Sequence, residues 1–273
     1  MSERYQRMEL LFGTEAVNNL LNKRVAVFGA GGVGGSCIEA LARSGIGTID
    51  VFDNDSVALS NLNRQIMATE STLGERKTEA AKIRIHDINP DITVNCHDIF
   101  YLPDTSEADA IDFSVFDYVV DAIDTVTGKI GLIISADAAG VPVISCMGCG
   151  NRTDPTKLIV CDIYETKTDP LAKVMRHELR KRNIRRLCVV CSTEAAMKPL
   201  AATALTDSPK DSNDNDAESS FMTATELKTG KTNTPSEATA TASRRQTPGS
   251  TAFVPPAAGL IAASVVVRAL LDL

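Results

Sequence analysis

Residues 25–36 read VAVFGAGGVGGS. An apolar run, Val25 to Phe28, leads straight into a cluster of glycines, and a helical period, GGSCIEALARSG, follows and stops at Gly45. A short apolar run bounded by glycine reads as a buried strand, and apolar residues spaced three and four apart read as a helix. Gly29, Gly31 and Gly34 fit G-x-G-x-x-G between the two, with Gly32 a further glycine in the turn. Such glycines allow a tight turn and a close approach to phosphate, while the helix start favours negative charge. The same glycines would also serve simply to let the helix pack closely.

Outward from this unit the two patterns keep alternating. GTIDVFD (47–53), DITVNC (91–96), DYVVDAID (117–124) and VPVISCMG (141–148) read as strands; ERKTEAAKIRIHDIN (75–89) and TVTGKIGLIISADAAG (125–140) read as helices. Alternation of this kind predicts an α/β fold, a Rossmann-like and mostly parallel sheet with helices on both faces. LIVCDIY (158–164) and LCVVCS (187–192) add C-terminal strands, expected to be antiparallel, around the helix DPLAKVMRHELRKRN (169–183). Residues 206–247 are dominated by Ser, Thr, Asp, Asn and Pro and offer few apolar side chains against the entropy of ordering. They are expected to form a disordered insertion, with 1–205 and 248–273 making one domain and Ala257–Leu271 a closing helix.

The chain has 273 residues, 44% of them hydrophobic, and a net charge of -7. That allows one large soluble domain or two small ones and does not announce a nucleic-acid binder by bulk charge. The longest apolar stretch, Phe253–Leu271, contains Pro255, Pro256 and Arg268, so a buried helix is expected rather than a membrane span. The charged start, MSERYQRMELLFG, lacks a secretory apolar core. The seven cysteines show no framework spacing, which makes reduced thiols and a cytoplasmic setting the expectation.

Asp53 ends the second strand, where an acid can accept hydrogen bonds from ribose hydroxyls. It is followed by NDSVALSNLNRQ, which carries Asp55, Asn61, Asn63, Arg64 and Gln65, and then by Lys77. A nicotinamide enzyme has no obvious use for such cations, but a triphosphate does. At about 4 Å and an effective dielectric near 20, one cation gains about 4 kcal/mol from a phosphate. Arg adds a forked donor and Lys a point charge. Asp121 and Asp124 in VVDAID lie at a strand end, the sheet edge where open α/β folds bind ligands. One carboxylate together with triphosphate oxygens is a usual magnesium arrangement, while the other acid is expected to cap a helix. Lys77 read without a ligand is one more charge on a solvated helix face.

These residues carry a resemblance. GAGGVG, the D-x-D-x-V-x-x-S-N-L-N-R-Q stretch, Lys77 and DAID resemble the adenylating domain of the ubiquitin-activating-like superfamily, which includes activators of sulfur carriers. The resemblance implies ATP and Mg2+ as cofactors. It places Asp53 on the ribose, Asn61, Arg64 and Lys77 on the triphosphate, and Asp124 on magnesium. The N-terminal RYQR is similar too and implies a homodimer in which Arg7 reaches into the partner subunit's site. MGCGNRTDPTKLIVCDIYETKTDPLAKVMRHELRKRNI (147–184) resembles one branch, the tRNA threonylcarbamoyladenosine dehydratases. That branch implies a tRNA substrate whose threonyl carboxylate is adenylated and then cyclised. The resemblance also admits a sulfur-transfer or cysteine desulfurase system as a partner, but no membrane.

RHELRKRNIRR places Arg176, Arg180, Lys181, Arg182, Arg185 and Arg186 together on an otherwise acidic chain. Phosphate backbones reward such clusters, so this is the expected tRNA contact; the plainer reading is a solvated helix partly compensated by Glu178. Two C-x-x-C pairs, Cys146/Cys149 and Cys188/Cys191, invite a zinc reading. Residues three apart on a strand face opposite sides, a poor arrangement for chelation, so buried thiols are expected instead. His86, His97 and His177 are scattered and receive no role. The rival functions are activation of a Gly-Gly-ended sulfur carrier, nicotinamide oxidoreduction and a non-catalytic dinucleotide-binding module.

Overall fold

The computed structural model of the chain describes residues 3–198 and 248–273. Two short helices, α1 (Gln6–Phe12) and α2 (Thr14–Leu20), precede the strand β1 (Arg24–Phe28). The chain continues through α3 (Gly32–Arg43), β2 (Thr48–Phe52), α4 (Lys77–Ile88), β3 (Thr93–His97), the single-turn α5 (Ser106–Asp109) and β4 (Tyr118–Asp121). It then forms α6 (Val126–Ala138), β5 (Val143–Cys146), β6 (Leu158–Asp162), α7 (Pro170–Lys181), β7 (Cys188–Ser192) and, after the segment 199–247, α8 (Val254–Leu270). The low-complexity segment 206–247 lies outside the described residues.

Seven strands form one sheet in the order β3-β2-β1-β4-β5-β7-β6. All neighbours are parallel except β6 and β7, where Val160 faces Val190 in an antiparallel register. The chain builds outward from β1 through β2 to β3 and then restarts on the other side of β1 with β4. That reversal opens a crevice at the carboxyl ends of β1 and β4, where open α/β sheets take their ligands. The central place of β1 and β4 agrees with their being apolar throughout: Val25–Phe28 and Val119–Val120 are fully buried, as strands covered on both faces must be.

The C-terminal helix is the element the sequence placed least well. α8 starts at Val254 rather than Ala257 and takes Pro255 and Pro256 into its first turn, where a missing N–H costs nothing. Its apolar faces are covered by the sheet and by α3. A Cβ on Gly259 would lie 2.1 Å from the Val33 carbonyl oxygen, so the close crossing of α8 over α3 requires glycine. No described helix is long and apolar enough to cross a membrane.

Candidate nucleotide site

The glycines of the loop have different jobs. Gly29 has φ +92°, and a Cβ there would stand 2.8 Å from the Ala122 carbonyl oxygen; a Cβ on Gly34 would stand 1.7 Å from the Gly29 oxygen. Those two glycines are required by packing of β1, α3 and the end of β4. Around Gly31 the nearest atom to such a Cβ is the Gln65 Nε2 at 3.9 Å, and Gly32 faces the Arg64 carbonyl oxygen at 3.3 Å. Gly32 also lies 3.2 Å from the Pro255 Cβ by the same measure, so the loop packs tightly everywhere except at Gly31, which stays open beside Gln65. Gly31 caps α3 without any side-chain hydrogen bond, and the first turn of α3 carries no acid. Free N–H groups and the helix dipole make that end attractive to an anion.

Asp53 is fixed at the end of β2. Its Oδ2 accepts from the Ala30 N–H at 2.7 Å and its Oδ1 from the Asp55 N–H at 2.8 Å. Burial pushes its carboxyl above the ordinary carboxylate range, opposed by Lys77 and by the two N–H donors. A carboxylate has about four acceptor sites, so capacity for ribose hydroxyls remains. Lys77 opens α4 and is buried, not on the solvated face its charged neighbours suggest. Its Nζ lies 2.5 Å from Asp55 Oδ2 and 3.8 Å from Asp53 Oδ1. Asp55 is thus the resting partner of Lys77.

Asn61 holds its own turn: its Oδ1 accepts from the Ala58 N–H at 3.1 Å. One Arg64 nitrogen donates to the Ser60 carbonyl at 2.8 Å and to Asn63 Oδ1 at 2.9 Å. Asn63 Nδ2 donates to the Ser250 carbonyl at 3.1 Å. Asn63, expected to bind the cofactor, therefore has both ends of its amide engaged within the protein.

The two acids at the end of β4 part company. Asp124 is exposed in the loop before α6. Asp121, also expected at the cofactor, is fully buried. Both its oxygens accept from Lys129 Nζ at 3.0 Å, and Ser145 Oγ donates to it as well. Lys129 further donates to the Cys146 carbonyl at 2.8 Å. Asp121 does not cap a helix: it is one half of a buried ion pair beneath the site, tying β4, β5 and α6 together. Lys129 was not singled out from sequence, although a lone lysine in the apolar run TGKIGLII is the signal that marks it.

Arg7 sits apart. Two residues before it, Tyr5 packs on Gly45, just past the C-terminal end of α3, and its hydroxyl accepts from Asn89 Nδ2 at 2.8 Å. The glycine loop is at the other end of α3, which at 12 residues is about 18 Å long. Arg7 is exposed on α1 beside Leu10 and Leu11, whose exposures are 86% and 77%.

The basic stretch is less uniform than its sequence. Arg176 is half-buried and donates to the Thr166 carbonyl at 2.8 Å and to its hydroxyl, which makes it a structural residue rather than a free contact. Lys181 and Arg182 pair with Glu178, whose carboxyl they pull down to about 2. Arg180 lies over the Tyr164 ring at 5.0 Å. Arg185 and Arg186 are exposed and make no ion pair among the described residues. Tyr164, Arg180, Asn183, Ile184 and Arg185 line an open surface cavity of about 320 Å³.

The cysteines pair differently in space and in sequence. Cys191 Sγ is 3.7 Å from Cys161 Sγ, across β6 and β7, while Cys188 lies on the opposite face of β7. Burial pushes the Cys191 thiol up to about 12 and Cys149 up to about 11. Among the described residues no group of three His, Cys, Asp or Glu side chains is arranged to hold a metal.

A helix start that welcomes anions, a buried acid with acceptor capacity to spare and two cations on one edge of a doubly wound sheet define a nucleotide-binding adenylating domain. The model of the ThiF family matches residues 5–272, and the chain belongs to that family. It is 45% identical over 186 residues to the tRNA threonylcarbamoyladenosine dehydratase of Bacillus subtilis, covering 68% of this chain and 72% of that protein. Crystal structures of the Escherichia coli tRNA N6-threonylcarbamoyladenosine dehydratase in complex with AMP and with ATP superpose with TM-scores of 0.77 and 0.76. Their sequence identities are 29% and 28%, and each match covers 99% of this chain and 94% of the other.

Proposed function

We infer that this chain is an ATP-dependent tRNA threonylcarbamoyladenosine dehydratase, acting through adenylation of the threonyl carboxylate. The carrying observation is the convergence of the open α3 terminus, Arg64 and the buried Lys77 beside Asp53. Three sources of positive potential on one edge suit a triphosphate and exceed what a dinucleotide pyrophosphate needs. The relatives supply the substrate class.

The chemistry follows from these positions. Asp53 accepts from the ribose hydroxyls and seats ATP across the glycine loop. A threonyl carboxylate oxygen attacks the α-phosphorus, and the bond to the β-phosphate oxygen breaks, releasing pyrophosphate. Arg64 and Lys77 stabilise the charge building on that leaving group, which is electrostatic catalysis. Lys77 exchanges Asp55 for phosphate as the nucleotide enters. The carbamoyl side of the same modified base then closes on the activated acyl carbon and AMP departs, so the base loses one water overall. Nucleophiles for both steps belong to the substrate, and no Ser-His or Cys-His pair is required. Magnesium fits at Asp124, an exposed carboxylate with no partner among the described residues, where it would neutralise triphosphate oxygens.

Arg7 serves a second copy in this reading. Its helix lies at the far end of α3 from its own glycine loop, and Leu10 and Leu11 beside it are exposed, as a homodimer interface would use them. Arg180, Arg185 and Arg186 are the tRNA contacts, since their charge is not consumed by Glu178. A cytoplasmic setting belongs to the same reading. The direct test is mass spectrometry of nucleosides digested from threonylcarbamoyladenosine-containing tRNA after incubation with enzyme and ATP. A nucleoside lighter by one water, formed only with ATP, is the expected product; an unchanged nucleoside contradicts the reading.

A further inference from the structure

The amide of Asn63 links two parts of the molecule that the reaction otherwise treats separately. Its Oδ1 accepts from Arg64 at 2.9 Å, and its Nδ2 donates to the Ser250 carbonyl at 3.1 Å. Ser250 belongs to the short stretch that re-enters the fold before α8, and that stretch is pinned by one residue. Asn151 donates its N–H to the Gly249 carbonyl at 2.7 Å and accepts from the Gly249 N–H on its Oδ1 at 2.6 Å. The Asn151 carbonyl also accepts from the Met197 N–H at 2.8 Å. Asn151 thus grips both flanks of the segment 199–247. It does so with φ +58°, a left-handed conformation that asparagine tolerates better than most residues.

We propose that Asn63 is a positioning residue for Arg64, and that Asn151 sets Asn63 through Gly249 and Ser250. A guanidinium on a long side chain samples many rotamers, and ordering one costs side-chain entropy. Two acceptors on one guanidinium nitrogen, the Ser60 carbonyl and Asn63 Oδ1, meet that cost before ATP arrives. The remaining guanidinium nitrogens are left to donate to phosphate. Each end of the Asn63 amide already has a protein partner, which fixes its orientation and leaves one N–H and one lone pair unspent. The sequence offers two asparagines before Arg64; the geometry separates them, since the Asn61 amide nitrogen stays unengaged among the described residues while that of Asn63 does not. The inference rests on Arg64 acting in adenylation.

A double-mutant cycle on the full-length protein tests it, read by ATP–pyrophosphate exchange in the presence of modified tRNA. Asn63→Ala is expected to lower kcat about 10-fold while changing KM for ATP less than about threefold, because it misaims a group that acts in the transition state. Arg64→Ala is expected to lose more. The pair Asn63→Ala/Arg64→Ala should be no slower than Arg64→Ala alone, since Asn63 acts only through Arg64. Asn151→Gly keeps the left-handed backbone and removes only the side-chain bond. It should cost about threefold, and nothing further on an Asn63→Ala background. Residues this exposed at position 63 leave folding intact, checked by an unchanged unfolding midpoint. Wild-type kcat in Asn63→Ala, or its full cost persisting in the absence of Arg64, overturns the relay. Wild-type exchange in Arg64→Ala would overturn the adenylation role of Arg64 itself, and the relay with it.

Discussion

Lys77 Nζ stands 2.5 Å from Asp55 Oδ2 and 3.8 Å from Asp53 Oδ1. One cation is therefore shared between a buried acid at the end of β2 and an exposed acid; in the proposed reaction the first takes the ribose and the second yields the cation to phosphate. Lys77→Met is expected to weaken ATP binding about 10- to 100-fold, a loss of about 1.4–2.7 kcal/mol and below the Coulomb figure because phosphate here is partly solvated. Asp55→Asn should leave affinity unchanged or raise it, since it removes a competitor. Calorimetric titration with ATP and magnesium checks both, and wild-type affinity in Lys77→Met contradicts the assignment.

The Lys129–Asp121 pair supports the site from below. Removing one partner strands a buried charge, so Lys129→Met should lower stability by about 3–5 kcal/mol. Replacing both, Lys129→Met with Asp121→Leu, should recover much of that loss, because paired apolar groups carry no stranded charge. Denaturant unfolding of the three proteins decides it. If the double variant is less stable than Lys129→Met, the pair is not the self-contained unit described.

The basic stretch yields a selective prediction. Arg185→Ala/Arg186→Ala should raise KM for tRNA about 10-fold or more at moderate salt and leave ATP binding unchanged, as expected for phosphate contacts. Arg176→Ala should instead lower stability, because it removes the bonds to Thr166. Steady-state kinetics at two salt concentrations separates these effects; an equal KM rise from Arg176→Ala without destabilisation would contradict the division.

How much of this could be read from the chain depended on whether a residue's role was local. The β1–turn–α3 unit was legible because its glycines, apolar run and helical period are contiguous, and α/β alternation then carried the parallel sheet. Asp53, Arg64 and Lys77 were placed by spacing along a resembled motif. Residue chemistry alone does not divide Asp121 from Asp124, which stand three apart in one run, VVDAID; only the resembled motif puts magnesium at Asp124. What divides them is a lysine on the next helix and a serine on the next strand, a tertiary fact. Arg176 misled for the same reason: Thr166 reaches it from outside the helix. The sequence starts the closing helix at Ala257, after the two prolines, although in the first turn of a helix they fit.

The flanks of residues 199–247 carry another expectation. Met197 and Gly249 are both held by Asn151. Deleting about Asp207–Thr247 and closing with a short flexible linker should leave the unfolding midpoint nearly unchanged, because closure entropy varies slowly with length. ATP binding should persist, while tRNA modification is free to fall. Loss of folding or of nucleotide binding would show that the deleted residues belong to the domain.

The central claim is that this site adenylates a carboxylate carried on tRNA. Its most direct measurement is ATP–pyrophosphate exchange, run in parallel with threonylcarbamoyladenosine-modified tRNA and with a ubiquitin-like carrier protein ending in Gly-Gly, for the wild type and for folded Arg64→Ala. Exchange is expected with the modified tRNA alone and should fall by at least about 100-fold in Arg64→Ala, in line with the loss of one transition-state donor. Exchange supported by the carrier protein but not by the tRNA, or retained near the wild-type rate in Arg64→Ala, would contradict the account.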